Sequence, residues 1–337
     1  MIFVASKQVL TFSHTFISQT VRYGKRVDVP SLFPKIYSVY LSQSHDIFTN
    51  LALEDWIFKN VRFDKEKILL IWRNKPCVVI GRHQNPWVES NTTYLREQNI
   101  KLARRNSGGG TVYHDMGNIN LTFFMHRDNY NRKENLALLI RALEKMKVKL
   151  ELNERDDVLL NGKKVSGTAA KLSSSKTYHH CSLLVNLDKQ SMHKALESTE
   201  EEKYHSKATK SIRSPVSCIS SGKELDINDI IKAVGSEFLE SCENGSHSTG
   251  FSFVNPTDYW FQGINGLRDQ FISWDWIYGK TPPFTVCEST KVDDCLINVK
   301  VRIFKGKVDL IEYDKRGCDL LDHLLGVPYS PDLFKIR

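Results

Sequence analysis

The chain has 337 residues, 41% hydrophobic and 26% charged, which is enough to bury a full core. It holds no apolar run of about 18 residues or more of the kind that spans a bilayer. Its 47 Lys and Arg against 39 Asp and Glu give a formal charge of +8, which suits an acidic partner or a phosphate-bearing ligand as well as a solvated surface. Seven scattered cysteines, odd in number and without a C-x-x-C pair, argue against a disulfide framework or structural zinc and for a reducing compartment.

From Met1 to Val27 there is no acidic residue, while Lys7, Arg22, Lys25 and Arg26 are basic and Ser and Thr are frequent. This is the composition of a mitochondrial transit peptide, with a plain disordered leader as the alternative. Residues 1–33 are therefore set apart from the fold.

Beyond them, Thr49 and Asn50 are expected to cap a helix through Leu53, Trp56 and Ile57. Lys67 to Ile71 and Cys77 to Ile80 read as two strands joined in a hairpin at Asn74-Lys75-Pro76. Asn91 to Gln98 predicts a short helix, and Lys101 to Arg104 and Ile119 to Met125 predict strands. An amphipathic helix over Asn135 to Val148 precedes a strand at Val158 to Leu160, an Asn161-Gly162 turn and a returning strand that carries Lys164. His180 to Leu187 reads as a strand, Ser191 to Ser221 as a mobile polar loop, and Ile227 to Leu239 as a helix. A loop near Asn244 to Thr249 follows, and Ile297 to Phe304 and Lys307 to Tyr313 flank Lys305-Gly306 as a hairpin. The alternation of helices and strands predicts a mixed α/β domain, 34–264, with a smaller one over 265–337.

Two segments concentrate chemistry. In Ala103-Arg-Arg-Asn-Ser-Gly-Gly-Gly-Thr-Val-Tyr-His-Asp115, three glycines without Cβ let backbone N–H groups converge on an anion, and Arg104 and Arg105 add positive charge. Neither a Gly-Lys-Ser/Thr ending nor G-x-G-x-x-G spacing is present, so this is not a Walker or dinucleotide loop. The second segment, Asn161 to Lys171, puts a lysine on a strand edge before small residues, where it can neutralise a carboxylate or phosphate. On spacing alone, Lys163 and Lys164 read better as an exposed hairpin pair. His114 and Asp115 resemble a dyad but point to opposite faces of an extended strand, which favours a structural role. His179 and His180 have no third ligand at metal spacing, and Cys181 reads as a buried strand thiol rather than a thioester nucleophile.

Gly81-Arg-His-Gln-Asn-Pro-Trp87, Ala103 through Phe124, Lys164 through Lys171, Tyr178-His-His-Cys181 and Trp274-Asp-Trp-Ile-Tyr-Gly-Lys-Thr-Pro282 resemble the lipoate–protein ligase family in content and order. The lipoyltransferase branch of animal mitochondria fits best, and the resemblance covers about 37–285. It implies an α/β (α+β) catalytic domain of the biotin/lipoate-ligase type with a mixed sheet, followed by a small accessory domain. It implies Lys164 as the lysine that contacts the lipoyl carbonyl and the adenylate phosphate. Arg105 and Ser107, Gly108, Gly109 and Gly110 would line the lipoyl-AMP tunnel, with Tyr113 and Asn118 near the nucleotide and Arg155 and Asp157 beside it. Ala169, His180, Ser182 and Thr209 complete the implied binding set.

The implied activity is transfer of a lipoyl group from lipoyl-AMP, or from lipoylated glycine-cleavage H protein, to a lysine of lipoyl domains of 2-oxoacid dehydrogenase E2 subunits in the mitochondrial matrix. No covalent enzyme nucleophile and no tightly bound cofactor or metal is required; ATP and Mg enter only if free lipoate is activated. A monomer without nucleic-acid or membrane partners is expected. The basic stretch Lys203 to Arg213 either attracts an acidic lipoyl domain or is a solvated loop. Full ATP-dependent ligation and octanoyl transfer are the alternatives within the family. A biotin ligase would carry a Gly-Arg-Gly-Arg type loop in place of the glycine triplet, and a non-catalytic lipoyl or nucleotide carrier would have no use for the Lys164 block.

Overall fold

Strand Glu66–Trp72 shows how the architecture arises. Its run Ile-Leu-Leu-Ile-Trp is buried on both faces: Ile68, Leu70 and Trp72 enter one apolar cluster, Leu69 and Ile71 the other. A strand of that kind belongs inside a sheet, and the computed structural model places it there. The six-stranded sheet runs Thr168–Leu172, Lys176–Leu184, Asn118–His126, Glu66–Trp72, Ile36–Ser42, His247–Val254, with the last three strands parallel and the other pairings antiparallel. The structure describes residues 35–334 apart from 199–200, 221–223, 244, 293–294, 315–318 and 320; the transit-peptide segment lies outside the described residues.

One face of the sheet is covered by helices Arg132–Lys145 and Ile227–Glu240, the other by helix Ile47–Asn60 and a three-stranded sheet of Lys101–Arg104, Cys77–Ile80 and Val112–His114. The expected mixed α/β class holds. A four-stranded antiparallel sheet joins Tyr204–Ser206 to Phe284–Val292, Cys295–Phe304 and Lys307–Tyr313, the last pair being the expected hairpin. Residue 265 falls inside helix Ile264–Ile272, which packs on helix Ile47–Asn60.

Several local expectations are corrected. Strands Glu66–Trp72 and Cys77–Ile80 do not form a hairpin, because Ile36–Ser42 and Asn118–His126 already occupy both edges of the first. The connecting turn is instead held by fully buried Asn50, whose Nδ2 donates to the Arg73 carbonyl at 3.1 Å and to Asn74 Oδ1 at 2.9 Å. Helix Ile47–Asn60 is capped by Asp46 rather than by Thr49 or Asn50: the Asp46 carboxylate accepts from Thr49 N–H at 3.0 Å. The helix expected over Asn135 to Val148 begins at Arg132 behind the Asn131 cap and ends at Lys145, two residues before Lys147 turns left-handed at φ 60°. The presumed loop at Ser191 to Ser221 holds the end of helix Lys189–Leu196 and strand Tyr204–Ser206. The turn before Thr249 gives way to strand His247–Val254.

Candidate functional site

Lys164 stands just past the Asn161-Gly162 turn, whose φ values of 50° and 73° suit a tight hairpin between Val158–Leu160 and Lys163–Ser166. Its backbone is fixed on the far side too: its N–H donates to the Pro215 carbonyl at 3.0 Å, and Ser217 N–H donates to its own carbonyl at 2.9 Å. The half-buried ammonium lies 2.5 Å from Asp157 Oδ1. Asp157 is set by Asn153, whose Oδ1 accepts from the N–H groups of Arg155 and Asp157, each at 2.9 Å. One short turn thus points Asp157 at Lys164 and Arg155 toward the adjoining cavity.

The glycine loop is built around Arg105. This buried guanidinium donates to the carbonyls of Gly108 at 2.6 Å, Gly110 at 2.7 Å and Val79 at 3.0 Å, and its Nε to Ser107 Oγ at 3.0 Å. Burial lowers its pKa to about 10, so it stays charged at neutral pH. Gly109 is left-handed at φ 84°, a conformation that favours glycine. A Cβ on Gly81 would stand 2.2 Å from the Gly109 carbonyl oxygen, so the chain can pass beneath the loop only without a side chain there.

Ser107 continues into a buried relay. Its hydroxyl lies 2.8 Å from His180 Nε2, and His180 Nδ1 lies 2.9 Å from Glu54 Oε1, which also accepts from Thr122 Oγ1 at 2.8 Å. The relay ties the start of the loop to helix Ile47–Asn60 and the central sheet.

These elements surround a cavity of about 910 Å³, a size usual for small-molecule sites. Lys164, Arg105, Gly109, Gly110, Tyr113, Arg155, Ala169, His180, Ser182 and Thr209 border it. Ser107, Gly108, Asn118 and Asp157 are not among the residues that border it. Asn118 is fully buried, with Nδ2 donating to Asn120 Oδ1 at 3.1 Å. The Nδ2 of cavity-lining Asn120 is buried without a hydrogen-bond partner among the described residues.

The lining mixes two chemistries. Leu51, Trp72, Val79, Leu184, Met192 and Leu196 are apolar and Arg155, Lys163, Lys164, Lys189, Lys210 and Arg213 are cationic, whereas the lining carboxylates are Glu89 and Glu197. An amphiphilic molecule with an apolar tail and an anionic head matches both.

Sequence reasoning gave Arg104 a different role, as positive charge for an anion, and left out Gln84 and Ser211 as site residues. Arg104 reaches no carboxylate; its fully buried guanidinium donates to the carbonyls of Gln84 at 2.8 Å and Ile277 at 2.6 Å and to Thr281 Oγ1 at 2.9 Å. This gives the Trp274 to Pro282 block its place against the strand that enters the glycine loop. Gln84 and Ser211 bind the loop from above, and only Gln84 fell inside a motif.

The remaining histidines act structurally. His114 Nδ1 lies 3.0 Å from Asn74 Nδ2, and burial lowers its pKa to about 3. His179 is likewise lowered to about 3 by burial, with Nδ1 3.1 Å from Asn135 Nδ2. Cys181 is buried in its strand, where desolvation pushes the thiol up to about 12. Among the described residues no group of three or more His, Cys, Asp or Glu is arranged to hold a metal ion.

Residues 46–239 match the family model for the lipoyl protein ligase A/B catalytic domain. The mitochondrial lipoyl amidotransferase of Homo sapiens is 43% identical over 278 residues, covering 80% of this chain and 74% of that protein. Lipoate-protein ligase A of Psychrobacter cryohalolentis is 34% identical over 284 residues, 82% of each chain. The crystal structure of P. falciparum LipL1 in complex with lipoate is similar at a TM-score of 0.62 and 25% identity, covering 87% of this chain and 91% of that one.

Proposed function

Because the chain belongs to the lipoyl protein ligase A/B catalytic domain family and is thus an acyltransferase of lipoyl metabolism, we propose that it transfers the lipoyl group of lipoyl-AMP to a lysine of lipoyl domains. Those of 2-oxoacid dehydrogenase E2 subunits are the acceptors, lipoylated glycine-cleavage H protein is a second donor, and the mitochondrial matrix is the site of action. The observation that carries this reading is the Lys164–Asp157 pair, set at a cavity that the glycine loop also borders and whose lining is rich in both apolar and cationic side chains.

An acyl adenylate is a mixed anhydride whose carbonyl is already electrophilic. The enzyme therefore has to orient it, keep water out and admit one amine. The apolar lining residues take the lipoyl chain, and the cations at Arg155, Lys163 and Lys210 take the phosphate end. As the acceptor amine forms its bond to the carbonyl carbon, the bond to the phosphate oxygen breaks and AMP departs. Lys164 stabilises the charge that develops on both oxygens, and Asp157 fixes the ammonium while that happens. Of the residues named for binding, Arg105, Gly109, Gly110, Tyr113, Arg155, Lys164, Ala169, His180, Ser182 and Thr209 are placed to meet the ligand, and Ser107, Gly108 and Asp157 act through them and Asn118 through Asn120.

ATP-dependent ligation of free lipoate is the second reading, favoured by the 34% identity to a lipoate-protein ligase A. The intact mass of an apo lipoyl domain separates the two. A lipoyl increment with lipoyl-AMP alone identifies a transferase, and an increment also with lipoate and MgATP identifies a ligase. No increment from either, or from lipoylated H protein, would overturn both. Lys164→Ala is expected to keep the fold and lower transfer by roughly 100- to 1000-fold, the loss of one well-aimed charge-stabilising donor.

A further inference from the structure

Glu89 is a carboxylate on a cavity wall otherwise rich in cations, and it faces a segment of the chain rather than any of them. It closes the four-residue helix Pro86–Glu89, which Trp87 anchors by packing its ring 5.1–5.3 Å from those of Tyr278, Phe284 and Tyr329. Its Oε1 accepts from Ser211 N–H at 3.1 Å, its Oε2 accepts the Ser211 hydroxyl, and Thr111 Oγ1 adds a third contact at 3.3 Å. Ser211 Oγ in turn accepts from Thr111 N–H at 2.8 Å and from Gln84 Nε2 at 3.0 Å. A Cβ on Gly110 would meet Ser211 Oγ at 3.1 Å, so serine and glycine are already in contact.

The segment 209–217 therefore has two attachments. At Ser211 it is fastened to the glycine loop through Glu89, and at Pro215 and Ser217 it is hydrogen-bonded to the backbone of Lys164. It spans the two halves of the site. Ser211 presents its two donors to different oxygens of one group, an arrangement that suits a carboxylate; an amide would set an NH2 opposite one of the donors, and alanine has no acceptor.

We propose that Glu89 is a positioning residue for acyl transfer, which holds Ser211 on the glycine loop so that the 209–217 segment keeps water from the acyl-adenylate carbonyl beside Lys164. The inference rests on the transfer reading above. Attack by the acceptor amine gives the amide and AMP, and attack by water on the same carbonyl gives free lipoate and AMP, so the ratio of the two products reports how well water is excluded.

The test uses the full chain, chemically prepared lipoyl-AMP and an apo lipoyl domain. Amidated domain is measured by intact mass and released lipoate by chromatography. In Glu89→Ala and in Ser211→Ala the ratio of transfer to hydrolysis is expected to fall about tenfold or more, with Glu89→Gln between them and the wild type. The double variant should be no worse than either single one, because both remove the same latch. Ser211→Ala, which loses only a hydroxyl, decides the matter should Glu89→Ala not fold. A wild-type ratio in folded Ser211→Ala, or losses that add in the double variant, would overturn the inference while leaving the transfer reading intact. Failure of the wild type to amidate the domain would instead overturn the transfer reading itself.

Discussion

Replacing Gly81 with alanine puts the passage beneath the glycine loop to a direct test. The added Cβ would lie 2.2 Å from the Gly109 carbonyl oxygen and 3.2 Å from its carbon. A carbon and a carbonyl oxygen rest at about 3.3 Å, so the loop would have to retreat by roughly 1 Å. It cannot do so freely, because the flanking carbonyls of Gly108 and Gly110 are both bound by Arg105. Overpacking of this kind costs about 1–3 kcal/mol of stability, which a domain of this size should survive. A 1 Å displacement of a site that positions a reacting carbonyl costs on the order of 100-fold in rate. Initial rates of lipoyl-domain modification from lipoyl-AMP, with thermal melting of the same samples, measure both effects. A folded Gly81→Ala protein that transfers within threefold of the wild type would show that the loop's position does not govern the chemistry.

Arg104→Met should unfold at clearly lower urea, by about 3 kcal/mol, because several buried carbonyl oxygens lose a charged donor. An unchanged urea midpoint would contradict that account. Glu243 predicts a pH dependence: its hydrogen bond to Lys67, followed by that to Lys35, lowers its pKa from 4.5 to about 2. Since the folded value lies below the unfolded one, the stability it confers is complete above about pH 4.5 and is lost as pH falls toward 2. The urea midpoints of wild type and Glu243→Gln should therefore converge across that window. A constant gap down to pH 2 would refute the assignment.

Elements with strong local signals were legible from sequence. Ile230, Val234 and Phe238 recur every four residues and form the buried stripe of helix Ile227–Glu240. Asn161-Gly162 and Lys305-Gly306 turn where their chemistry predicts. The Asn74-Lys75-Pro76 turn misled because a turn signal is local, whereas the partners of Glu66–Trp72 come from strands distant in sequence. At the site, glycines, lysines and histidines stand out in sequence because their chemistry is distinctive. Ser211 did not, since polar composition cannot distinguish a solvated loop from one whose hydroxyl and N–H are spent on a carboxylate. Arg104 stood out as a charge, but its structural role did not, because its partners are mostly main-chain carbonyls, which every residue carries.

Trp87 and Glu89 lie two residues apart on one turn of helix, and they face different constituencies. The tryptophan is seated among Phe284 and Tyr329 of the C-terminal region, the glutamate on the segment over the glycine loop. So short a helix has no room to absorb a tug at one side chain before the other feels it. A truncation after Pro283 or a substitution at Phe284, which removes the seat of Trp87, is therefore expected to be felt one turn away, at the segment that Glu89 holds against the glycine loop.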